Sequence, residues 1–255
     1  MSGKISKSSA QATNELVLSL VKNLVAEGPL KILDLGCGSG AMLESIAEYY
    51  RDRGWEPADH LLGVDINLDD YKAAVPSQVV DLNHPIAESL GKFDLIISVE
   101  VLEHVRRPYI LIEEIHSFLN EKGTFLFSVP NPGNMNSRIK YLAYGHYQMF
   151  FGPSARPENA SHICGHINPL PVQYWDYGLR YAGFSSIEYL VDRRKKSAII
   201  WTLLFCPILL IGYFLMHRAQ KKYSEDVHRE IKRALSRVNH FDTLTGRSLV
   251  FLCQK

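Results

Sequence analysis

A glycine-rich turn near the start of the chain is the first feature whose residue types could do chemistry. Gly36, Gly38 and Gly40 follow an apolar stretch in the string Leu-Asp-Leu-Gly-Cys-Gly-Ser-Gly. A strand that runs into such a turn and then a helix is typical of nucleotide binding, because glycine adopts positive φ and lets the backbone approach a ligand closely. The lysine-bearing phosphate loop is excluded, since no Gly-Lys-Ser/Thr follows, and the spacing differs from the G-x-G-x-x-G of dinucleotide-binding folds.

Three aspartates accompany this turn, each at the end of an apolar stretch. Asp34 lies two residues before the first glycine, Asp65 follows Leu62–Val64, and Asp81 follows Gln78–Val80. Ligands of open parallel sheets bind beyond the carboxyl ends of the strands, so we expect these carboxylates to surround one ligand. The glycine turn with Asp34 resembles motif I of the class I S-adenosylmethionine-dependent methyltransferases.

The resemblance implies S-adenosyl-L-methionine as the cofactor and S-adenosyl-L-homocysteine as its product. It implies that Asp65 accepts hydrogen bonds from both ribose hydroxyls, that Asp81 faces the adenine amine and that Asp34 lies near the methionine end. The expected cofactor-binding residues are Asp34, Gly36, Cys37, Gly38, Gly40, Asp65, Ile66, Asp81, Leu82 and Glu100. The interval between Gly36 and Asp65 exceeds the roughly 20 residues usual for such a partner, and a loop insertion at Arg51–Asp59 would explain it.

A second group of titratable residues follows the apolar stretch Phe93–Val99. The string Glu-Val-Leu-Glu-His at 100–104 resembles the corresponding segment of the ubiquinone-biosynthesis O-methyltransferases and their wider relatives. That resemblance implies that Glu100 lies near the methionine moiety of the cofactor, and Glu103 and His104 near the acceptor. A histidine that titrates near neutrality suits removal of a hydroxyl proton. The competing interpretation is that Glu103 and His104 only cap a turn and position the following helix.

Two further histidines, His162 and His166, are candidate catalytic residues. They lie in the stretch from Asn131 to Pro171, which is rich in Gly, Pro, Asn, His and aromatic residues and too long for a passive connection. We therefore predict a partly helical cap over the site, in which one of these histidines lines the acceptor pocket, since relatives place a histidine shortly before such an Asn-Pro turn. The pair could also bind a metal, but no third ligand stands at a useful spacing, so no metal is predicted.

The elements that would position these residues alternate between strands and amphipathic helices. Strands are predicted at Lys31–Leu35, His60–Val64, Gln78–Val80, Phe93–Val99, Thr124–Val129, Ser186–Val191 and Ser248–Cys253, and helices at Thr13–Ala26, Met42–Tyr50, Tyr109–Leu119 and Val172–Ala182. The alternation indicates an α/β fold with a doubly wound, mostly parallel seven-stranded sheet, and the family resemblance implies an antiparallel last strand. The predicted divisions are a core at 1–192 with the cap at 131–171, an insertion at 193–242 and the last strand at 243–255.

The composition indicates how many domains the chain has, in which compartment it folds and what kind of partner it meets. A chain of 255 residues suits one α/β domain, and its four scattered cysteines indicate neither a disulfide framework nor a zinc site. Residues 1–12 lack the apolar core of a secretory signal, so we expect a cytoplasmic protein. Residues 1–192 carry 15 Lys+Arg against 23 Asp+Glu, whereas residues 193–255 carry 13 against 4. Such asymmetry is typical of a segment that meets an anionic partner, either nucleic acid or a membrane surface.

The basic part of the chain contains an uncharged apolar stretch, Ala198–Met216. As a helix it would reach about 28 Å, just enough to cross a bilayer. Basic residues flank it on both sides, however, and the strands before and after it belong to one sheet, which argues against crossing. We predict that it dips into a membrane and returns, bent at Pro207. The basic amphipathic pattern of Tyr223–Val238 is typical of a helix on an anionic lipid surface.

These features together predict a monotopic O-methyltransferase on the inner face of a membrane, acting on a lipophilic or lipid-linked acceptor. One alternative is an enzyme for a soluble small molecule, with the apolar segment as a lid over its cleft. Others are a protein-partner or dimer interface in the same place, and a cofactor-binding scaffold without activity. An RNA methyltransferase is disfavoured by the aliphatic stretch, so nucleic acid is not the expected partner. The oligomeric state stays open.

Overall fold

In the computed structural model, which describes residues 10–152, 165–220 and 222–255, the strands form one mixed seven-stranded sheet. They are β1 (Ile32–Leu35), β2 (Leu61–Asp65), β3 (Ser77–Val79), β4 (Phe93–Val99), β5 (Leu119–Pro130), β6 (Ser186–Val191) and β7 (Ser248–Gln254). Their order is β3-β2-β1-β4-β5-β7-β6, and β7 is antiparallel to both of its neighbours. The predicted α/β fold and the antiparallel last strand are confirmed.

Helices cover both faces of this sheet, as the doubly wound prediction requires. They are α1 (Ala10–Leu24), α2 (Ala41–Arg51), α3 (Pro57–His60), α4 (Pro108–Phe118), α5 (Met135–Tyr144), α6 (Val172–Tyr181), α7 (Lys196–Gln220), α8 (Glu225–Val238) and α9 (Phe241–Thr245). A short 3-10 helix lies at Glu88–Leu90. Apolar side chains of α1 and α2, such as Val21 and Leu43, form one core, and those of α4 and α6, such as Leu111 and Trp175, contribute to the other.

The centre of the sheet positions the ends of its strands around one cleft. β1 pairs in parallel with β2 on one side and with β4 on the other. All four residues of β1 are buried, because a central parallel strand has helices on both faces. The connections from β1 and β4 leave in opposite directions, which opens a crevice beyond their carboxyl ends. The glycine turn and the Glu-Val-Leu-Glu-His string both lie at this edge.

Some predicted bounds differ from those observed. β5 begins at Leu119, earlier than the predicted Thr124, because Leu119 pairs with Phe93 before a register irregularity. The segment Arg51–Asp59, predicted as a loop insertion, instead contains the last residue of α2 and the start of α3. α9 was not predicted, and its residues up to Thr245 precede β7, so the segment from 243 begins in a helix.

The insertion between β6 and β7 leaves and rejoins the core at one point. The Lys195 backbone N–H donates to the Thr245 carbonyl at 2.9 Å, beside a bridge between Arg194 and Gly246. The predicted bend that would return the chain at Pro207 is wrong, because α7 continues as one helix through this proline. Proline removes a single helical hydrogen bond, to the Leu203 carbonyl, and the rest of the ladder is kept. The return is made by α8.

Candidate functional site

The glycine turn after β1 has the positive φ values that its glycines predicted. Gly36, Gly38 and Gly40 have φ values of 75°, 53° and 79°, in the left-handed region that other residues avoid. The N–H groups of Gly36 and Cys37 both donate to the Val64 carbonyl, at 2.8 and 3.0 Å. These bonds tie the turn to the end of β2. Gly40 is the N-cap residue of α2.

Space at the turn differs from one glycine to the next, which allows a matched test. A Cβ added to Gly36 would lie 2.5 Å from Val101 Cγ2, whereas nothing lies within 4 Å of a Cβ added to Gly38. We expect Gly36→Ala to lower the free energy of unfolding by about 3 kcal/mol, from positive φ plus overpacking, and Gly38→Ala by about 1 kcal/mol from φ alone. Urea unfolding measures both. Equal losses would show that close packing against Val101 is not what requires glycine.

A cavity of about 350 Å³ lies beyond the carboxyl ends of β1, β2 and β4. Its lining contains six of the ten predicted cofactor residues and the candidate base. These are Gly36, Asp65, Ile66, Asp81, Leu82, Glu100 and His104. The cavity also has an apolar wall of Val80, Val99, Val101 and Val105 that the sequence analysis did not single out. Residues far apart along the chain therefore meet at one cleft, as expected for ligands of open parallel sheets.

The two cavity aspartates have different surroundings. Asp65 Oδ2 accepts the Gly38 N–H at 2.8 Å and Oδ1 accepts the Asn67 N–H at 3.2 Å, so the carboxylate is held facing the glycine turn. Asp81 Oδ1 accepts from both the backbone and the side chain of Asn83, at 2.9 Å each. The backbone hydrogen bond from Asn83 is the main cause that lowers the pKa of Asp81. Both groups are therefore held as hydrogen-bond acceptors at the cavity wall.

Four predicted cofactor residues, Asp34, Cys37, Gly38 and Gly40, are not among the residues that line this cavity. Asp34 is buried within β1, and burial together with the nearby charge of Asp65 raises its pKa to about 7. Burial also raises the pKa of the Cys37 thiol to about 12, so this cysteine is not a thiolate nucleophile at neutral pH. Within this group, Gly38 and Gly40 shape the turn through their positive φ values, and the cofactor contacts of all four residues stay a prediction.

Glu100 stands at the end of β4 in an unusual conformation for a residue other than glycine, with φ of 55°. Its Oε1 accepts from the Ser128 hydroxyl at 3.5 Å, and its Oε2 lies 3.7 Å from Arg247 Nη1. Arg247 also approaches Asp192, at 3.8 Å, and is nearly buried. Burial raises the pKa of Glu100, and the guanidinium opposes that shift. Arg247, just before β7, is a site-positioning residue that no local motif marked.

Glu103, His104 and His166 come together beside the cavity. The imidazole Nε2 atoms of His104 and His166 each lie 3.9 Å from Glu103 Oε1, and the two rings meet edge to face at 4.6 Å. Glu103 is fully buried, and neither of its carboxylate oxygens has a hydrogen-bond partner among the described residues. His162 was predicted to join this group, but it lies outside the described residues.

Backbone contacts fix the position of this cluster. The amide of Asn168 donates to the carbonyls of Leu102 and Val105, at 3.0 and 2.5 Å. The Glu103 carbonyl accepts the N–H groups of Ile167 and Asn168, at 2.8 and 3.1 Å. The end of the cap is thereby tied to the string after β4, and His166 is brought to His104. Asn168 is therefore a second positioning residue. The sequence pattern had predicted only that it belongs to a turn.

The protonation states of the cluster follow from its burial. Desolvation raises the pKa of Glu103 well above its usual value, with a further contribution from Glu100. Desolvation lowers the pKa of His104, and it lowers the pKa of His166 to about 4. Both imidazoles are therefore neutral at pH 7 and can accept a proton or bind a cation. Their nitrogens and a Glu103 oxygen all lie within 4.8 Å of one another. Glu103 therefore supplies the third potential metal ligand, which the spacing of the histidines alone did not reveal.

Comparisons with known proteins agree with this geometry. Residues 9–189 match a family model described as a methyltransferase domain. The ubiquinone biosynthesis O-methyltransferase of Albidiferax ferrireducens is 24% identical over 211 residues, covering 73% of this chain and 81% of the relative. The mitochondrial enzyme of that name from Saccharomyces cerevisiae is 26% identical over 182 residues, covering 66% of this chain and 54% of the relative.

Solved structures share the fold at low identity. A SAM-dependent methyltransferase from Archaeoglobus fulgidus superposes with a TM-score of 0.53 and 18% identity, covering 95% of this chain and 94% of that one. The plantazolicin methyltransferase BpumL, solved in complex with SAH, gives 0.51 and 16% identity, covering 96% and 84%. With the family match extending over most of the core and the cofactor residues gathered at one cleft, the chain belongs to the methyltransferase domain family and is a class I S-adenosylmethionine-dependent methyltransferase.

Proposed function

We propose that this chain transfers the methyl group of S-adenosylmethionine to an oxygen atom of a lipophilic acceptor held at a membrane surface. The observation that carries the proposal is that neutral His104 lines the same cavity as Asp65, Asp81 and Glu100. A base is thus positioned where the acceptor must approach the cofactor. The name of the relatives from Albidiferax ferrireducens and Saccharomyces cerevisiae, ubiquinone biosynthesis O-methyltransferase, supports oxygen as the methylated atom and a lipophilic acceptor.

The chemistry requires alignment more than activation. The bond between the methyl carbon and the sulfonium sulfur breaks as a bond to the acceptor oxygen forms, and S-adenosylhomocysteine leaves. Holding the three atoms in line supplies most of the rate enhancement. His104 accepts the hydroxyl proton during this step, and its side chain is exposed enough, at 41%, for an acceptor to reach it. The buried carboxyl group of Glu103 lies beside it, with Oε1 3.9 Å from His104 Nε2.

A second chemistry for the same cluster is favoured by the two unpartnered oxygens of Glu103. A divalent cation bound by Glu103, His104 and His166 would satisfy that buried carboxylate, and it would polarise the acceptor hydroxyl as a Lewis acid. Under this interpretation the two histidines hold the ion and remain neutral, so His104 does not take the proton itself. Chelation distinguishes the two roles, because only a bound cation is removed by it.

The proposed membrane attachment rests on α7. Within the described residues, one helix is long and apolar enough to cross a membrane, and it is α7. Its first turns pack against the core through Ala198 and Thr202, whereas Leu204, Ile208 and Ile211 are each about 60% exposed. An apolar helix left open to solvent over most of its length is neither a core helix nor a lid over the cofactor cavity, none of whose lining residues belongs to it.

Geometry favours immersion of α7 in one leaflet. The 25 residues of α7 form a helix about 37 Å long. The returning α8 has 14 residues, about 21 Å, and carries charge along much of its length. Since the two ends of the insertion meet at Lys195 and Thr245, a full crossing would require α8 to return through the hydrocarbon. Its Arg229, Lys232 and Arg233 instead suit an anionic headgroup layer.

Vesicle flotation tests this attachment. We expect the full chain to float with phosphatidylcholine vesicles that contain phosphatidylglycerol. The double variant Leu204→Glu/Ile211→Glu should bind at least tenfold less, because two immersed side chains on one face of α7 become charged. Val79→Glu, which alters an equally exposed apolar residue of β3, should float like the unaltered chain. Flotation that is the same for both variants, or absent for the unaltered chain, would overturn the attachment and favour an enzyme for a soluble molecule.

The acceptor itself is found by transfer of label. The full chain is incubated with radiolabelled S-adenosylmethionine and, in parallel, with the lipid and the aqueous fractions of a cell extract. The proposal predicts label in a lipid-extractable product. Label that appears only in a water-soluble product would support the soluble-substrate alternative, with the same cofactor site.

A further inference from the structure

A second cavity, of about 270 Å³, lies where α5, the start of α6 and the end of α8 meet. It shares no lining residue with the cofactor cavity, and the catalytic cluster does not reach it. Pockets that enclose a whole drug-sized ligand occupy roughly 300–1,000 Å³. This cavity is therefore suited to one chemical group of a larger molecule, such as a headgroup.

Arg138 of α5 gives the cavity its charge. Its Nε donates to the Gly133 carbonyl at 2.8 Å, its Nη1 to the Asn239 side chain at 2.8 Å, and its Nη2 to the Val238 carbonyl at 2.6 Å. All three acceptors are neutral, and no carboxylate of the described residues lies within ion-pair distance. A guanidinium has five N–H groups, so two of them have no acceptor within the described part of the chain.

Burial makes this lone charge costly. Desolvation lowers the pKa of Arg138, which shows that the surrounding protein disfavours the charged form. Charges that are partly withdrawn from water in proteins are ordinarily paired, because an uncompensated one destabilises the fold. A guanidinium keeps its proton even so, since its pKa is so high. An anion in the cavity would supply the missing partner.

The rest of the lining suits an oxygen-rich anion on an apolar stem. The rings of Tyr141 and Tyr147 stack at 4.4 Å and form one wall. Gln173 also lines the cavity, and its buried side-chain oxygen has no hydrogen-bond partner among the described residues. Because the two ends of an amide exchange by a simple flip, this side chain can present its NH₂ group to a ligand instead.

The cavity is also joined to the helices proposed to meet the membrane. Two of the acceptors of Arg138, Val238 and Asn239, stand at the end of α8. Met135, one turn earlier on α5, packs against Ala198 at the base of α7. A headgroup bound at Arg138 would therefore belong to a molecule whose apolar part continues along α7.

We propose that this cavity binds a phosphate-class anion carried by an amphiphile, with Arg138 as the charged contact and Gln173 as a neutral one. The source of the phosphate rests on the proposed function: it is borne by a lipid, which is either the acceptor or a neighbouring lipid. Phosphate fits better than a carboxylate because it has more oxygens to offer to both the guanidinium and the amide of this lining.

Calorimetry on the full chain tests the site without turnover. The probes are inorganic phosphate and dihexanoyl phosphatidic acid, a soluble lipid with a phosphate monoester. Both should bind, the lipid more tightly, and Arg138→Gln should weaken both at least tenfold through the loss of a charge-assisted contact. Arg53→Gln, which removes one charge from an exposed arginine just after α2, should leave both affinities unchanged. The site would be overturned if either probe failed to bind, or if Arg138→Gln bound them as tightly as the unaltered chain. The lipid source would be overturned if inorganic phosphate bound as tightly as the lipid or more tightly.

Two controls keep the test decisive. S-adenosylhomocysteine affinity, measured on the same samples, should be equal in all variants, which shows that the fold and the cofactor site are intact. If Arg138→Gln fails this check, Gln173→Leu provides the test, because removal of an unpartnered buried oxygen should not harm folding but should weaken phosphate a few-fold. Unchanged phosphate affinity in a folded Gln173→Leu variant would then count against the site. Methyl transfer is not measured here, so loss of the proposed function and loss of this site are distinguishable.

Discussion

Asp65→Ala is expected to weaken S-adenosylmethionine binding at least about 100-fold. The carboxylate faces the glycine turn through Gly38 and lines the cofactor cavity, and by family resemblance it accepts both ribose hydroxyls. Two charge-assisted hydrogen bonds are lost together, each of which contributes about 1.5–3 kcal/mol, while the Gly38 N–H is freed to bind water. Isothermal titration calorimetry with S-adenosylmethionine measures the change directly.

Two variants separate the ribose role from a general effect of charge. Asp65→Asn keeps one acceptor oxygen and should lose less affinity than alanine. Asp69→Ala removes a carboxylate from the same loop that does not line the cavity, and should bind the cofactor normally. If Asp65→Ala binds as tightly as the unaltered chain, the assignment of Asp65 to the ribose is wrong. Circular dichroism checks that the turn still folds.

His104→Ala is expected to lower kcat by about 100- to 10,000-fold, the range typical of a general base, with little change in cofactor affinity. His60→Ala, at a histidine on α3 away from the cavity, should leave kcat unchanged. In the unaltered enzyme kcat should fall as His104 is protonated. Because burial lowers the pKa of His104 below the usual histidine value of about 6.5, that fall should lie below pH 6.5, with full activity at pH 7. An acid limb above pH 6.5, or a small loss in His104→Ala, would contradict the base role.

The pH profile alone does not separate a base from a metal ligand, since protonation of His104 would also displace a cation. Activity after dialysis against EDTA makes the distinction. Retained activity assigns the proton-accepting role to His104. Lost activity that Mg²⁺ or Zn²⁺ restores assigns the cluster of Glu103, His104 and His166 to a cation, and metal analysis of the untreated protein should then find the ion.

The cofactor side of the cleft is predictable from sequence because its signals are local. A buried strand ending in glycines predicts a turn with positive φ, and the structure has it at Gly36, Gly38 and Gly40. Parallel strands then bring their carboxyl ends to one edge, which gathers Asp65, Asp81 and Glu100 without any knowledge of long-range contacts.

Other parts of the site depend on contacts between distant segments, which local patterns do not encode. His166 reaches Glu103 because the Asn168 amide bonds to carbonyls more than 60 residues earlier. Arg247 meets Glu100 only once β7 has entered the sheet between β5 and β6. At Pro207 the local signal points the wrong way. Proline tends to break a helix, yet α7 continues through it, because the other helical hydrogen bonds of its 25 residues outweigh the one that is lost.

The atom that receives the methyl group tests the proposed function most directly. The product formed from ¹³C-methyl S-adenosylmethionine and a membrane lipid fraction can be purified and its labelled carbon examined by NMR. We predict one labelled methyl carbon bonded to oxygen, in a lipid-soluble product that the His104→Ala enzyme makes far more slowly. A methyl carbon bonded to nitrogen or carbon, or a labelled product found only in the aqueous phase, would contradict O-methylation of a lipophilic acceptor.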